Sequence, residues 1–508
     1  MIKCFQKAKS VRLFLLALCC VNGLLHAEEA QAPDVQPQAA APAGASAPAA
    51  PDAQTPSNTT PANSQITDSV TQTTLNENWA SDLFELYGLA EQNDPQIRAA
   101  YSDFQAVEET VPQNWANLLP QISGSVNAAY DDSKADPEAQ DQETRKSDGE
   151  STGYELRATQ VIYNHAYWQR LSQANINAAQ AEANYNAARQ DLIVRIATAY
   201  FNVLGGIDSL AFAEAERKSV EQQLEQTKQR FEVGLIAITD VKESQARFDQ
   251  AVAQEIEAQN TLSTTREALW TIVNTYPQQL KPLSEQMPLL QPEPADKQHW
   301  VDKALAENLS LIAADLARQA AQQEVDIQRS GHYPTIDVTA RHTYRDDEAG
   351  RVQVSGVDVP VTGAVQTTDT SIMVSLNVPI FTGGGTHARV KEAVYRREAT
   401  RDRYEATRRQ VIQQTRDAYQ NILADISRVK ALKQALISSE AAYEATSAGY
   451  EVGTRNSVEV LTALRNVYAA KRDYARTRYT YVVDLLRLKQ ATGNLSMADL
   501  KEINRWLQ

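Results

Sequence analysis

The chain has 508 residues, 49 basic against 64 acidic, and a formal net charge of −15. A balance this acidic disfavours nucleic-acid binding. Its three cysteines, Cys4, Cys19 and Cys20, all lie near the N-terminus. A basic start (Lys3, Lys7, Lys9, Arg12) leads into an apolar run from Val11 to about Leu25. This pattern, with Leu25-His26-Ala27 at its end, predicts a secretory signal peptide over 1–27. Its removal takes every cysteine away, excluding disulfides and thiolate chemistry, and moves the net charge from −15 to −19 by removing four basic residues. Lipidation at Cys19 or Cys20 is the rival reading, and bulky Leu18 speaks against it.

Residues 28–76 are rich in Ala, Pro, Gln, Ser and Thr. Such a stretch cannot bury enough apolar surface to offset its ordering entropy, so a disordered tail is expected. A helical pattern runs from near Trp79 to about Asn117. Period-two alternation then follows in Ile122, Gly124, Val126, Ala128 and Tyr130, and again in Tyr154, Leu156, Ala158, Gln160 and Ile162. A polar stretch from Asp131 to about Ser151 separates them. A second pair repeats the arrangement: Ile336, Val338, Ala340, His342 and Tyr344, then Ile372, Val374, Leu376, Val378 and Ile380, with a polar loop near Arg345–Thr370 between. Each predicted strand is ~10 residues, enough to cross a tilted bilayer span, and Tyr130, Tyr154, Tyr163, Tyr344 and Phe381 mark ends as an interfacial girdle would. Four strands cannot close a transmembrane barrel, which needs about eight. Either they pack on a soluble core or several chains share one barrel. No run of ~18 apolar residues follows the signal, so no transmembrane helix is expected.

Long helices are predicted from about Tyr167 to Phe231 and from about His387 to Val452, each ~100 Å by helical rise. Each ends at a glycine, Gly234 or Gly453, where a left-handed cap carries no Cβ penalty. The turns read Arg230-Phe231-Glu232-Val233-Gly234 and Gly449-Tyr450-Glu451-Val452-Gly453, 219 residues apart. Returning helices run from Val241 to about Val273 and from about Asn456 to Ala491. Ala199-Tyr200-Phe201-Asn202-Val203-Leu204 and Ala418-Tyr419-Gln420-Asn421-Ile422-Leu423 share the same offset, so the chain reads as two copies, 77–292 and 293–508.

Enzymatic chemistry has little support. His165, His299, His332, His342 and His387 do not pair at metal-ligand spacing, and no metal or cofactor is expected. Gly383-Gly384-Gly385 follows a strand and precedes a helix but lacks the Lys-Ser/Thr of a phosphate loop, so it reads as a strand-to-helix turn. A soluble periplasmic coiled-coil scaffold accounts for the helices but not for the strands.

Thr198-Ala199-Tyr200-Phe201-Asn202-Val203-Leu204, Gln229-Arg230-Phe231 through Ile238-Thr239-Asp240-Val241, and Ala448-Gly449-Tyr450-Glu451-Val452-Gly453-Thr454-Arg455 resemble the TolC family of outer-membrane efflux and secretion channels. Asn308-Leu309-Ser310-Leu311 and Gly331-His332-Tyr333-Pro334-Thr335 fit as well, and the resemblance spans about Asn78 to Gln508. It implies a mixed α and β fold: a homotrimer with a 12-stranded β-barrel, continued by a periplasmic tunnel of long helical hairpins. The segments near 277–300 and after Ala491 would form an equatorial belt. The implied partners are outer-membrane lipid, a periplasmic adaptor (membrane fusion) protein and an inner-membrane pump of RND, ABC or MFS type, serving drug efflux or type I secretion. The resemblance also places a gate at the turns, with Thr239 and Asp240 on one hairpin and Tyr450 and Arg455 on the other. Tyr450 would donate to Asp240, and Arg455 would bond near Thr239. Where the family has two aspartates at its constriction, this sequence has Glu459 and Thr462, so a trimer would carry three carboxylates rather than six. Asn456 and Glu459 also fit a helix-capping box, a structural role for the same residue.

Overall fold

The computed structural model describes residues 81–135, 145–348, 351–354, 357–360 and 365–508. The expected signal peptide (1–27), the Ala/Pro-rich tail (28–76) and Trp79 lie outside these residues. The described chain is mixed α and β. Three short helices, α1 (Leu83–Asn93), α2 (Pro95–Glu108) and α3 (Thr110–Ala116), precede strands β1 (Gln121–Ala135) and β2 (Arg145–Tyr163). The long hairpin α4 (His165–Glu232) and α5 (Ile238–Val273) follows. The second half runs α6 (Lys297–Glu307), α7 (Leu309–Arg329), β3 (Thr335–Asp347), β4 (Arg351–Val354), β5 (Val357–Pro360) and β6 (Val365–Asn377). A second hairpin, α8 (Gly385–Glu451) and α9 (Ser457–Ala491), and α10 (Met497–Asn504) complete it.

The helical stretch expected to run unbroken to Asn117 is divided. Pro95 occupies the first position of α2, and the Asp94 carboxylate caps that helix by accepting from the Gln96 N–H at 3.0 Å. Asp94 is buried and also takes the Arg195 guanidinium at 2.6 Å, which ties the break to α4. A matching joint separates α6 from α7, where Asn308 accepts from the Leu311 N–H at 3.0 Å. The amides of Asn93 and Asn308 donate to the last turns of α5 and α9, at Val273 O (3.3 Å) and Ala491 O (2.9 Å). These paired anchors give the sequence duplication a physical form.

All strand pairs are antiparallel, in the order β1-β2-β3-β6, with β4 and β5 extending beside β2. The strands are longer than the ~10 residues expected. β1 has 15 residues, β2 19, and β3 and β6 13 each, so they run on into stretches read as polar loops. Pairing is a backbone property and continues after the apolar alternation ends. The short pair β4–β5 was likewise not foreseen in the second polar loop. At its other end β6 stops at Asn377, short of the expected Ile380, because Pro379 has no N–H for the ladder. Register puts Ile122, Ala158, Ala340 and Ile372 in one row of one face, and Ser123, Arg157, Arg341 and Ser371 in the adjacent row of the other.

The main core gathers Leu192–Leu204 of α4, Tyr479–Leu488 of α9, Leu83–Ala90 of α1, and Leu500 and Ile503 of α10. One stretch of α4 is long and apolar enough to cross a membrane, but half of it is buried in the folded chain. Two tyrosines in this core hold the irregular segment between α5 and α6. Tyr200 Oη donates to Lys281 O at 2.7 Å, and Tyr481 Oη accepts from Leu290 N at 2.7 Å and donates to Leu290 O at 2.9 Å. Burial pushes the phenols of Tyr200 and Tyr481 up, so both remain donors.

Gly493 follows the cap of α9 at φ +75°, and a Cβ there would sit 2.0 Å from Glu307 O. Gly493→Ala is therefore expected to destabilise the fold by about 3 kcal/mol or more, combining a left-handed backbone with a clash on main chain. Thermal unfolding of the purified protein would show this as a lowered midpoint; an unchanged midpoint would mean that the α6–α7 joint yields.

Candidate functional site at the hairpin turns

Both long helices end in the same hydrogen-bonded turn. Gly234 (φ +75°) donates to Phe231 O at 2.9 Å, and Leu235 donates to Arg230 O at 2.9 Å. Gly453 (φ +79°) donates to Tyr450 O at 3.1 Å, and Thr454 donates to Gly449 O at 2.8 Å. The pair of bonds satisfies two carbonyls that a bare helix end leaves open. The chain then restarts as a helix within a few residues. Asn456 caps α9, accepting from the Glu459 N–H at 2.9 Å, whereas Ala237 gives α5 no side-chain cap.

The two turns meet through one contact that the sequence reading did not foresee. The Arg230 guanidinium lies over the Tyr450 ring, 4.3 Å from its centroid, and reaches Tyr450 O at 3.4 Å. Such a cation–π pair contributes about 1 kcal/mol when partly exposed. The signal was present in the repeat: Arg230 and Gly449 occupy equivalent positions, so the first turn has a long cation where the second has no side chain. The space at Gly449 is already filled, since a Cβ there would sit 2.8 Å from Arg455 Cγ.

The expected gate links are not formed within one chain. Tyr450 is buried, and its hydroxyl has no hydrogen-bond partner among the described residues. Arg455 Nη1 bonds Glu459 Oε2 at 2.6 Å along its own helix and does not reach Thr239. Asp240 sits in the first turn of α5, where its charge suits the helix N-terminus, and makes no side-chain bond to Tyr450. Arg230 has taken the face of Tyr450, and Glu459 has taken the guanidinium of Arg455. Glu459 is thus engaged twice, by its backbone at the cap and by its carboxylate in the ion pair. Thr462 is exposed and turns its hydroxyl back to Val458 O at 2.8 Å. Exposed apolar side chains surround the turns: Val233, Leu235 and Ile238 on one, and Val452 on the other.

Above the turns, the hairpins are joined by an apolar cluster of Val220, Leu461 and Leu464 and by an ion pair between buried Glu216 and Arg472 at 3.0 Å. Ser219 and Tyr468 hydroxyls meet at 3.2 Å. The tips are therefore the weakly held end of a well-packed helical body.

Comparisons with known proteins agree with this architecture. Residues 86–275 and 300–494 match the family described as Outer membrane efflux protein. The chain is 37% identical over 430 residues to the outer membrane protein TolC of Vibrio cholerae, covering 85% of this chain and 94% of that protein. It is 27% identical to the alkaline protease secretion protein AprF of Pseudomonas aeruginosa, covering 83% of this chain and 86% of that one. Among solved structures, the outer membrane protein VceC of Vibrio cholerae superposes with a TM-score of 0.66 at 20% identity, covering 82% of this chain and 99% of that chain. With a family match over both repeats and identity of this extent, the chain belongs to the outer membrane efflux protein family.

Proposed function

We propose that three copies of this chain form one exit duct, with a 12-stranded barrel in the outer membrane and a helical tunnel in the periplasm. The observation that carries this reading is the sheet. Much of its apolar face is uncovered among the described residues: Val126 is 87% exposed and Ile372 76%. Its outer edges, on β1 and β6, have no strand partner among the described residues. Open edges and bare apolar faces are not tolerated together, since in water they aggregate and in lipid the edge groups go unsatisfied. Joining β6 of one copy to β1 of the next removes both problems at once. Exposed Trp115, Trp168, Tyr163, Tyr333 and Phe381 near the sheet-to-helix junctions suit the interface between lipid and water.

On this reading the mature chain begins near residue 28, and the halves 77–292 and 293–508 are its two structural repeats. The turns form the periplasmic end, where an adaptor and an inner-membrane pump of RND, ABC or MFS type engage and open it. The named relatives include a protease secretion protein, so one duct of this kind serves secretion as well as efflux. We assign the gate to Thr239, Asp240, Tyr450 and Arg455, with Arg230 added, and the constriction to Glu459 and Thr462. The buried, unbonded hydroxyl of Tyr450 supports a second arrangement of the tips in which that hydroxyl is satisfied.

Fractionation of cells should place the protein in the outer membrane as a trimer that resists heat in detergent; recovery only as soluble periplasmic protein would refute the barrel. In planar bilayers the wild type should conduct weakly. A Tyr450→Phe, Arg455→Ser variant should conduct several-fold better. An unchanged conductance would move the gate away from these residues while leaving the duct intact.

A further inference from the structure

The 219-residue offset holds along the whole of both hairpins. It pairs Gly234 with Gly453 at the tips and, at the other end, Asn274 (φ 56°) with Gly493 (φ 75°). It therefore sets Gly206 of α4 against Asp425 of α8, and Thr265 of α5 against Asp484 of α9. The two hairpins differ sharply at this shared position. In the first, the helices come close and carry no charge: a Cβ on Gly206 would sit 3.2 Å from Leu262 Cα and 3.2 Å from Thr265 Oγ1. In the second, two carboxylates from neighbouring helices face one another in the packed interior, Asp425 4% exposed and Asp484 5% exposed.

These acids are poorly compensated. Asp484 has Arg487 of its own helix at 2.9 Å. Among the described residues Asp425 has only Arg428, one turn along and 3.9 Å away with its side chain 63% exposed, and Asp425 Oδ2 is buried with no hydrogen-bond partner. The other charged groups nearby are engaged elsewhere or add negative charge. Asp191 of α4 is paired with Arg195, Asp208 of α4 accepts from the Tyr479 hydroxyl, and Asp417 lies on α8 itself. Two buried carboxylates in contact cannot both ionise without repulsion. A single proton between them removes one charge and gives Asp425 Oδ2 the bond it lacks.

We propose that Asp425 and Asp484 form a proton-binding site that makes the cohesion of the second hairpin, and not of the first, depend on pH. Burial, and then the neighbouring Asp484 charge, push the Asp425 carboxyl up to about 6. The folded chain therefore binds this proton more readily than the unfolded chain does. Stability gained from it is full below the ordinary aspartate range and is lost as pH rises through about 6. At the equivalent place the first hairpin has Gly206 and Thr265; burial also pushes up the nearby Asp208, but that acid accepts from Tyr479 of the second hairpin and does not join α4 to α5.

Amide hydrogen exchange on the detergent-solubilised full-length protein tests this, after correction for the intrinsic pH effect. Protection of segments around Asp425 and Asp484 should rise about fourfold from about pH 7.5 to about pH 5.5, the binding ratio for a group titrating near 6. Segments around Thr265 of α5, which carry no buried acid of this kind, should not change. Asp425→Asn, which mimics the protonated acid, should flatten the response and hold the second hairpin at its low-pH protection. The double variant Asp425→Gly, Asp484→Thr, which copies the first hairpin, should flatten it as well. An infrared carbonyl band from a protonated buried carboxyl should appear in the wild type near pH 5.5 and vanish in Asp425→Asn. Equal pH responses in the two hairpins, a response surviving in either variant, or no such band in the wild type would each overturn the proposal, and the wild-type measurements decide it even where a variant does not fold.

Discussion

A β-strand carries an amide and a carbonyl on each edge, and every one of them needs a partner when water is absent. That constraint governs the arrangement of this chain. Four long strands from two hairpins form a sheet whose outer edges have no strand partner among the described residues. On the proposed reading, neighbouring copies complete the sheet by pairing these edges. The helical body has the complementary property. Its helices meet their own backbone needs internally and are tied together by Tyr200, Tyr481, Asp94 and Asn308 into a core that is whole within one chain. The open edges lie at one end, while packing is secured in the middle.

Much of this was legible in the residues. The long helices, the glycine-ended turns and the alternating faces follow from local rules of period and cap, and the limits of the hairpin helices agree with the sequence reading within three residues. The strand lengths were not legible, because ladder formation depends on a partner strand and not on the polarity of the strand itself. The break at Asp94-Pro95 was legible in principle, since an aspartate before a proline is a strong helix start, but a continuing helical period concealed it.

At the tips the single chain forms contacts other than the expected gate links. Tyr450 and Arg455 are identified by motif, yet each has other suitors within reach, and sequence does not rank them. In the single chain Arg455 pairs with Glu459 one turn along its own helix, while Arg230 reaches across from the other hairpin to the Tyr450 ring. The duplication itself held the better clue. At equivalent positions the two copies have Arg230 and Gly449, or Gly206 and Asp425, and these exchanges of size and charge mark where the halves no longer play the same part.

The core also makes each long helix a lever with an off-centre pivot. The main core reaches Leu204 of α4, and from there to Glu232 the helix rises about 40 Å, joined to the second hairpin by the smaller Val220–Leu461–Leu464 cluster and the Glu216–Arg472 pair. A tilt of about ten degrees at that pivot carries the far end sideways by about 7 Å, more than the diameter of a water molecule, with no bond in the helix broken. Small angular adjustments near the middle of the molecule are thereby magnified into larger displacements at the tip.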